Sequence, residues 1–177
     1  AHKYKVIQLH SCVPKKSQME AFQPVPPGCH KMILSTNIAE TSITIDDIIV
    51  VIDSGRVKEK TYDPYTKLCY LKSSYISKSS ARQRKGRAGR TRAGVCFHLF
   101  SRRRHQSFNE FQDSELLRMP LEELVLQTKA LHLAPGKEDE YNSARSFLLK
   151  ALDPPADIAI WHAIQLLKSI GMLTDEE

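Results

Sequence analysis

The sequence has no run approaching ~18 consecutive apolar residues, so nothing in it predicts a membrane span. Its four cysteines, Cys12, Cys29, Cys69 and Cys96, are widely spaced and form no C-x-x-C. That spacing argues against a zinc or disulfide frame and predicts reduced core thiols in an intracellular protein. The opening AHKYKVIQLH lacks the pattern of a secretory signal and passes almost at once into a strand, so the chain reads as an excised piece of something longer. There is no internal repeat and no low-complexity tract. A G-x-x-x-x-G-K-[ST] loop, the usual cradle for β- and γ-phosphates, is also missing. At Gly136-Lys137, Leu131 stands where the first Gly belongs and Glu138 where the hydroxyl belongs.

One absence is local. From Lys78 to Arg104 there are ten Lys or Arg and no Asp or Glu, whereas from Glu138 onward eight acids face Arg145, Lys150 and Lys168. The net charge of +6 and the pI of about 9.2 therefore come mainly from one basic region, as expected of a phosphate-binding surface. The 177 residues, 41% hydrophobic, suffice for one full domain with a real core plus part of another.

Short apolar, β-branched runs predict strands at VIQLH (6–10), KMILST (31–36), DIIVVIDS (47–54) and VCFHLF (95–100), the third apolar enough for burial on both faces. Helical segments between them predict an α/β fold, a parallel sheet covered by helices, with ligands at the carboxyl ends of the strands. Residues 57–73, with Asp63-Pro64-Tyr65-Thr66 at the centre, predict a β-hairpin, either projecting from the domain or running along its edge. After Phe100 the pattern becomes helical. Pro120 suits a first helical turn before LEELVLQTKALHL, 134–141 reads as a linker, and ARSFLLKAL follows. In DIAIWHAIQLLKSIGML, Asp157 is a plausible cap, and Ile158, Trp161, Ile164, Leu167 and Leu173 are expected to share a core face.

Two stretches carry chemistry. QRKGRAGR (83–90) follows SKSSA, in which Ser79 or Ser80 is expected near a helix cap. Helical spacing puts Gln83, Arg87 and Arg90 on one face, with Arg84 and Lys85 pointing elsewhere. Gly86 and Gly89 weaken a helix by about 1 kcal/mol each and make sense where a backbone or ligand comes close. Two guanidinium groups on one face suit a departing γ-phosphoryl group, and a neutral Gln beside them can orient water. A solvated basic helix is the alternative. The second stretch, STNIAETSITID (35–46), offers small hydroxyls and amides at a strand end, which suit sugar and phosphate contacts but also an ordinary helix cap. Asp46 suits ribose hydroxyls better than phosphate.

TNIAETSITID and QRKGRAGR resemble motifs V and VI of the DEAH-box (DExH) RNA helicases of superfamily 2. LHS (9–11), DSG (53–55), FHLFSRRR, ELLRMPLEEL and LDPP (152–155) extend the resemblance over nearly the whole chain. The flavour is closer to the multifunctional branch, with its G-quadruplex-resolving and YTH-containing members, than to the spliceosomal one. The resemblance implies a second RecA-like domain at about 1–103 and the start of a winged-helix region at 104–177. Gln83, Arg87 and Arg90 would face ATP phosphates as catalytic residues, and Arg87 and Arg90 would act as arginine fingers. Asp46 would bind ribose, and Phe22 would stack on the base, although a packed core Phe remains open for that position. Ser11, Thr36 and Asn37 would touch the RNA backbone, and the hairpin would guide or separate strands. The implied partners are RNA, ATP, a first RecA-like domain that also holds most of the Mg²⁺ site, and further C-terminal domains. No metal site is expected within the chain, since the family's D-E-x-H that would hold Mg²⁺ is not present in it, and the fragment alone is expected to be inactive. A non-catalytic helicase-like module and a DNA helicase of the same superfamily are the competing readings.

Overall fold

The computed structural model describes residues 3–63, 65–133 and 140–174, the side chains of 140–143 excepted. The chain divides into two compact units, Ala1–Val57 with Ser73–Gln112, and Lys58–Lys72 with Asp113–Glu177.

The first unit is α/β. Strand β1 (Tyr4–Leu9) pairs in parallel with β2 (His30–Ser35), Leu9 lying opposite Ser35. Between them run the short helix α1 (Lys15–Met19) and a 3₁₀ turn at Glu20–Phe22. Helix α2 (Ile38–Thr41) follows β2. Strand β3 (Val50–Asp53) pairs in parallel with β6 (Val95–His98), and α3 (Lys78–Lys85) precedes β6. Helix α4 (Arg102–Gln106) comes next. One core gathers Ile7, Leu9, Ala21 and Ile45; another gathers Ile76, Ala81 and Phe108.

Burial of the third strand on both faces does not hold. Val50 and Ile52 are exposed, as are their register partners Val95 and Phe97, and Val6 and Met32 repeat the pattern in the other ladder. Alternate residues still point inward, Ile7, Leu9 and Asp53 among them. Each two-stranded ladder thus has one covered face and one open face, so its apolar residues divide by the strand's period of two.

The expected hairpin is present as β4 (Arg56–Asp63) and β5 (Leu68–Tyr75). Asp63 builds the turn: its carboxylate accepts from Tyr65 N at 3.0 Å and Thr66 Oγ1 at 2.8 Å, and its carbonyl accepts from Lys67 N at 2.8 Å. The bonds to the carboxylate, from the Thr66 hydroxyl first and then Tyr65 N, hold the Asp63 carboxyl below its ordinary value.

The second unit contains helices α5 (Glu122–Ala130), α6 (Glu140–Leu148) and α7 (Asp157–Ser169). Most of the predicted linker, 134–139, lies outside the described residues, and its last two positions open α6. Pro120 stands just before α5 rather than in its first turn. The core is built on Leu121, Val125, Leu148, Ile160, Ile164 and Leu167, each worth about 1.5–3 kcal/mol when fully buried. Leu173 joins it. Ile158 and Trp161 do not: Trp161 is 45% exposed, because α7 turns Ile160 and Ala163 inward instead. Nor does Asp157 cap the helix, whose cap position is Ala156. The Asp157 carboxylate is taken by Arg145, with Nε to Oδ1 at 2.9 Å and Nη2 to Oδ2 at 2.8 Å. Among the described residues, no helix is long and apolar enough to cross a membrane.

All four cysteines are free, but the expected core placement fails. Cys12 and Cys69 are exposed, and Cys29 and Cys96 are half-buried.

Candidate functional site

The basic stretch folds differently from its helical expectation. Ser77, not Ser79 or Ser80, caps α3, its hydroxyl accepting from Ser80 N at 3.1 Å. The helix stops at Lys85 with Gly86 as its C-cap, and the chain tightens into i→i−3 bonds from Arg87 N to Arg84 O and Ala88 N to Lys85 O. Gly89 then takes a φ of +81°, which favours glycine. Gln83 therefore lies on the helix, while Arg87 and Arg90 lie on the turn beyond it. The three do not share a helical face. The weak helix formers Gly86 and Gly89 and a competing bond from Gly89 N to Ile48 O, 3.3 Å, end the helix early.

The cations of this stretch are not equivalent. Arg82 and Lys78 pair with Glu110 at 2.8 and 3.5 Å, which holds the Glu110 carboxyl below its ordinary value, the Arg82 hydrogen bond contributing most. Arg84 pairs with Glu40 and Asp53. Arg104 stacks on Tyr75, 4.7 Å from the ring centre, and Arg56 does so at 3.8 Å. Among the described residues, Lys85, Arg87, Arg90, Arg92, Arg102, Arg103 and Arg104 have no acidic partner. Arg87 donates from Nη1 to Ile43 O at 3.3 Å, and its Nε is buried without a hydrogen-bond partner. Leaving a buried charged donor unmatched is costly, which sets Arg87 apart from a solvated surface cation.

The other predicted positions gather at strand ends. Ser11 follows β1, and Thr36 and Asn37 follow β2, its parallel neighbour; Thr36 N donates to Leu9 O at 3.2 Å. All three are exposed at the carboxyl edge of one ladder. Phe22 ends the 3₁₀ turn and is exposed, so it is not a packed core residue. Asp46 is exposed beyond α2, and its carbonyl accepts from Thr91 Oγ1 at 3.1 Å, which brings it beside Arg90 in the chain path.

Lys31 escaped the sequence reading. Its side chain is only 6% exposed, and Nζ reaches Ala21 O at 2.9 Å, Gln23 O at 3.2 Å and Asp47 Oδ2 at 2.7 Å. One ammonium therefore fixes the backbone on both sides of Phe22 and the residue next to Asp46. Its place on the inward side of β2, in alternation with Ile33, was the available signal. Burial, with the Asp53 carboxylate adding to it, pushes the Cys96 thiol above its ordinary value. No group of three or more His, Cys, Asp or Glu able to hold a metal occurs among the described residues.

The profile of the helicase conserved C-terminal domain matches residues 1–92. The chain belongs to this family. As a helicase C-terminal domain it is 50% identical over 175 residues to the DExH-box ATP-dependent RNA helicase DExH6 of Arabidopsis thaliana, covering 99% of this chain and 13% of the relative. The human ATP-dependent RNA helicase DHX29 is 45% identical over 171 residues, covering 97% and 12%, and the rat ATP-dependent DNA/RNA helicase DHX36 is 41% identical over 175, covering 99% and 17%. The chain thus spans a small part of the length of the curated relatives it matches. In the crystal structure of the E. coli DExH-box NTPase HrpB, the same fold recurs with a TM-score of 0.83 at 28% identity, over 100% of this chain and 21% of that one. The RecA-like α/β expectation and the DExH-box resemblance both stand.

Proposed function

We propose that this helicase C-terminal domain supplies the cationic half of an ATP-cleaving site and one wall of an RNA track. Residues 1–103 form the second RecA-like domain and 104–177 the start of a winged-helix region. ATP would be shared with a first RecA-like domain outside this chain, which would also hold most of the Mg²⁺ site. Arg87 and Arg90 would neutralise charge on the γ-phosphoryl group, and Gln83 would help place the attacking water. Phe22 would stack on the base and Asp46 would accept from ribose hydroxyls, both steadied by Lys31. Ser11, Thr36 and Asn37 would contact the RNA backbone, where hydroxyls and amides track phosphate and sugar without reading sequence. Opening and closing of the cleft would then move the strand-end loops along RNA.

The buried Nε of Arg87 carries this reading. A solvated basic face would place that charge in water, yet the guanidinium is drawn against Ile43 O with one donor unmatched and no carboxylate alongside. In the full-length protein, Arg87→Ala should lower ATP turnover by ~10³-fold or more while RNA binding persists. Turnover near wild type would remove Arg87 from the chemistry. The purified chain alone should hydrolyse no ATP, and measurable turnover would overturn the division of labour between the two domains. Unwinding of matched RNA and DNA duplexes by the full-length protein separates the RNA reading from a DNA helicase.

A further inference from the structure

Residues 40–48 and 84–91 are bonded at four places. Arg84 Nε donates to Glu40 Oε2 at 2.9 Å, Arg87 Nη1 to Ile43 O at 3.3 Å, Thr91 Oγ1 to Asp46 O at 3.1 Å and Gly89 N to Ile48 O at 3.3 Å. Three of these bonds end on carbonyls, which fix position without charge. The Arg84 bond joins two charged side chains that are 14% and 13% exposed. The same guanidinium forks, Nη1 reaching Asp53 Oδ1 and Arg56 O, each at 3.0 Å. Asp53, with its side chain 1% exposed, also accepts from Gly55 N at 2.9 Å, and its Oδ2 lies 3.5 Å from His98 Nδ1. The Asp53 end is therefore an anchor in the sheet, and the Glu40 end reaches a four-residue helix too short to hold its own position.

We propose that Arg84 is a positioning residue that relays the placement of α2 to the turn carrying Arg87 and Arg90, with Glu40 as the contact through which it does so. This rests on the nucleotide and RNA reading above. Glu40 sits one helical turn after Asn37, and Arg84 sits three residues before Arg87. A backbone contact at Asn37 that shifts α2 moves Glu40, and the fork passes that shift to the end of α3. A guanidinium suits this task because it is planar and binds two carboxylates at once. An ammonium at the same place is a single point charge.

The test uses the full-length protein and needs no hydrolysis. Glu40→Ala cuts the link to α2 and leaves Arg84 on Asp53 and Arg56 O, so the anchor survives. The affinity for a single-stranded RNA oligonucleotide is measured by anisotropy with and without a non-hydrolysable ATP analogue, and the analogue's affinity with and without RNA. The two ratios must agree, because binding coupling is reciprocal. In Glu40→Ala each separate affinity should stay within about twofold while the coupling ratio falls toward one by up to about tenfold, the size of one hydrogen bond to a charged group. Arg84→Lys should match it, and Glu40→Gln, which keeps an acceptor, should fall between. Coupling that survives in both Glu40→Ala and Arg84→Lys overturns the relay, as does a wild type whose RNA affinity ignores nucleotide. Equal losses of both separate affinities in Glu40→Ala and Glu40→Gln would mark a merely structural role and overturn it too. Normal turnover in Arg87→Ala would instead strike the reading beneath, so the two failures are distinguishable.

Discussion

Gly94 sets the path of the arginine turn, and replacing it with alanine gives a sharp test. A Cβ there would lie 2.4 Å from Gly89 N and 2.9 Å from both Gly89 Cα and Ala88 Cβ. Ordinary contact begins near 3.4 Å, so the two backbones must part by about 1 Å. A backbone amide cannot rotate aside as a long side chain can, which puts the cost at the upper end of the ~1–3 kcal/mol typical of overpacking. In a domain near 100 residues, ~4–8 °C of Tm accompanies each kcal/mol, so a loss of roughly 10 °C or more is expected. The strain falls on Gly89, whose N–H bonds Ile48 O, and on the turn that presents Arg87 and Arg90. ATP turnover of the full-length protein should therefore fall with Tm. Gly28→Ala is the comparison: its φ of +79° disfavours alanine, but a Cβ there meets nothing within 4 Å. It should cost stability without touching turnover. Calorimetry that finds Gly94→Ala as stable as the wild type, with turnover intact, would refute the close approach of the two backbones.

RNA affinity of the full-length protein should fall steeply as salt rises, because phosphate contacts release counterions, and a flat response in titrations at several salt concentrations would contradict a backbone track. Arg145 holds the Asp157 carboxyl below its ordinary value through a bidentate hydrogen bond. Because the folded value is the lower one, the pair stabilises the fold above the ordinary Asp range, about 3.9, and that contribution disappears as pH falls through the folded value. Melts followed by circular dichroism should show Asp157→Asn less stable than wild type at neutral pH, with the two converging in acid.

How much of this was legible in the sequence depended on the range of the forces involved. The short apolar, β-branched runs that become β1 and β2 and the Asp63 turn are local, and both were readable. The end of α3 was not, because Gly86 and Gly89 only weaken a helix, and the bond that decides the outcome comes from Ile48, far away in sequence. Capping moved to Ser77 for a similarly small reason: three serines compete, and the first has the extended backbone that a cap needs. Apolar content overstated the burial of β3 and of Trp161, since composition does not reveal which face a neighbour covers. Gln83, Arg87 and Arg90 were found as a motif but misplaced as a helical face. Lys31 and Arg84 were missed as organisers because their partners are separated from them by up to 44 positions, beyond the reach of any helical or strand period.

The uneven exposure of the four cysteines has a practical consequence. Maleimide at neutral pH should reach Cys12 and Cys69 first, whereas Cys96, half-buried and with its thiol pushed up, carries less of the reactive thiolate. Cys12 belongs to the first unit and Cys69 to the second. Within these residues the two exposed thiols thus offer one attachment point per unit for a donor and an acceptor dye.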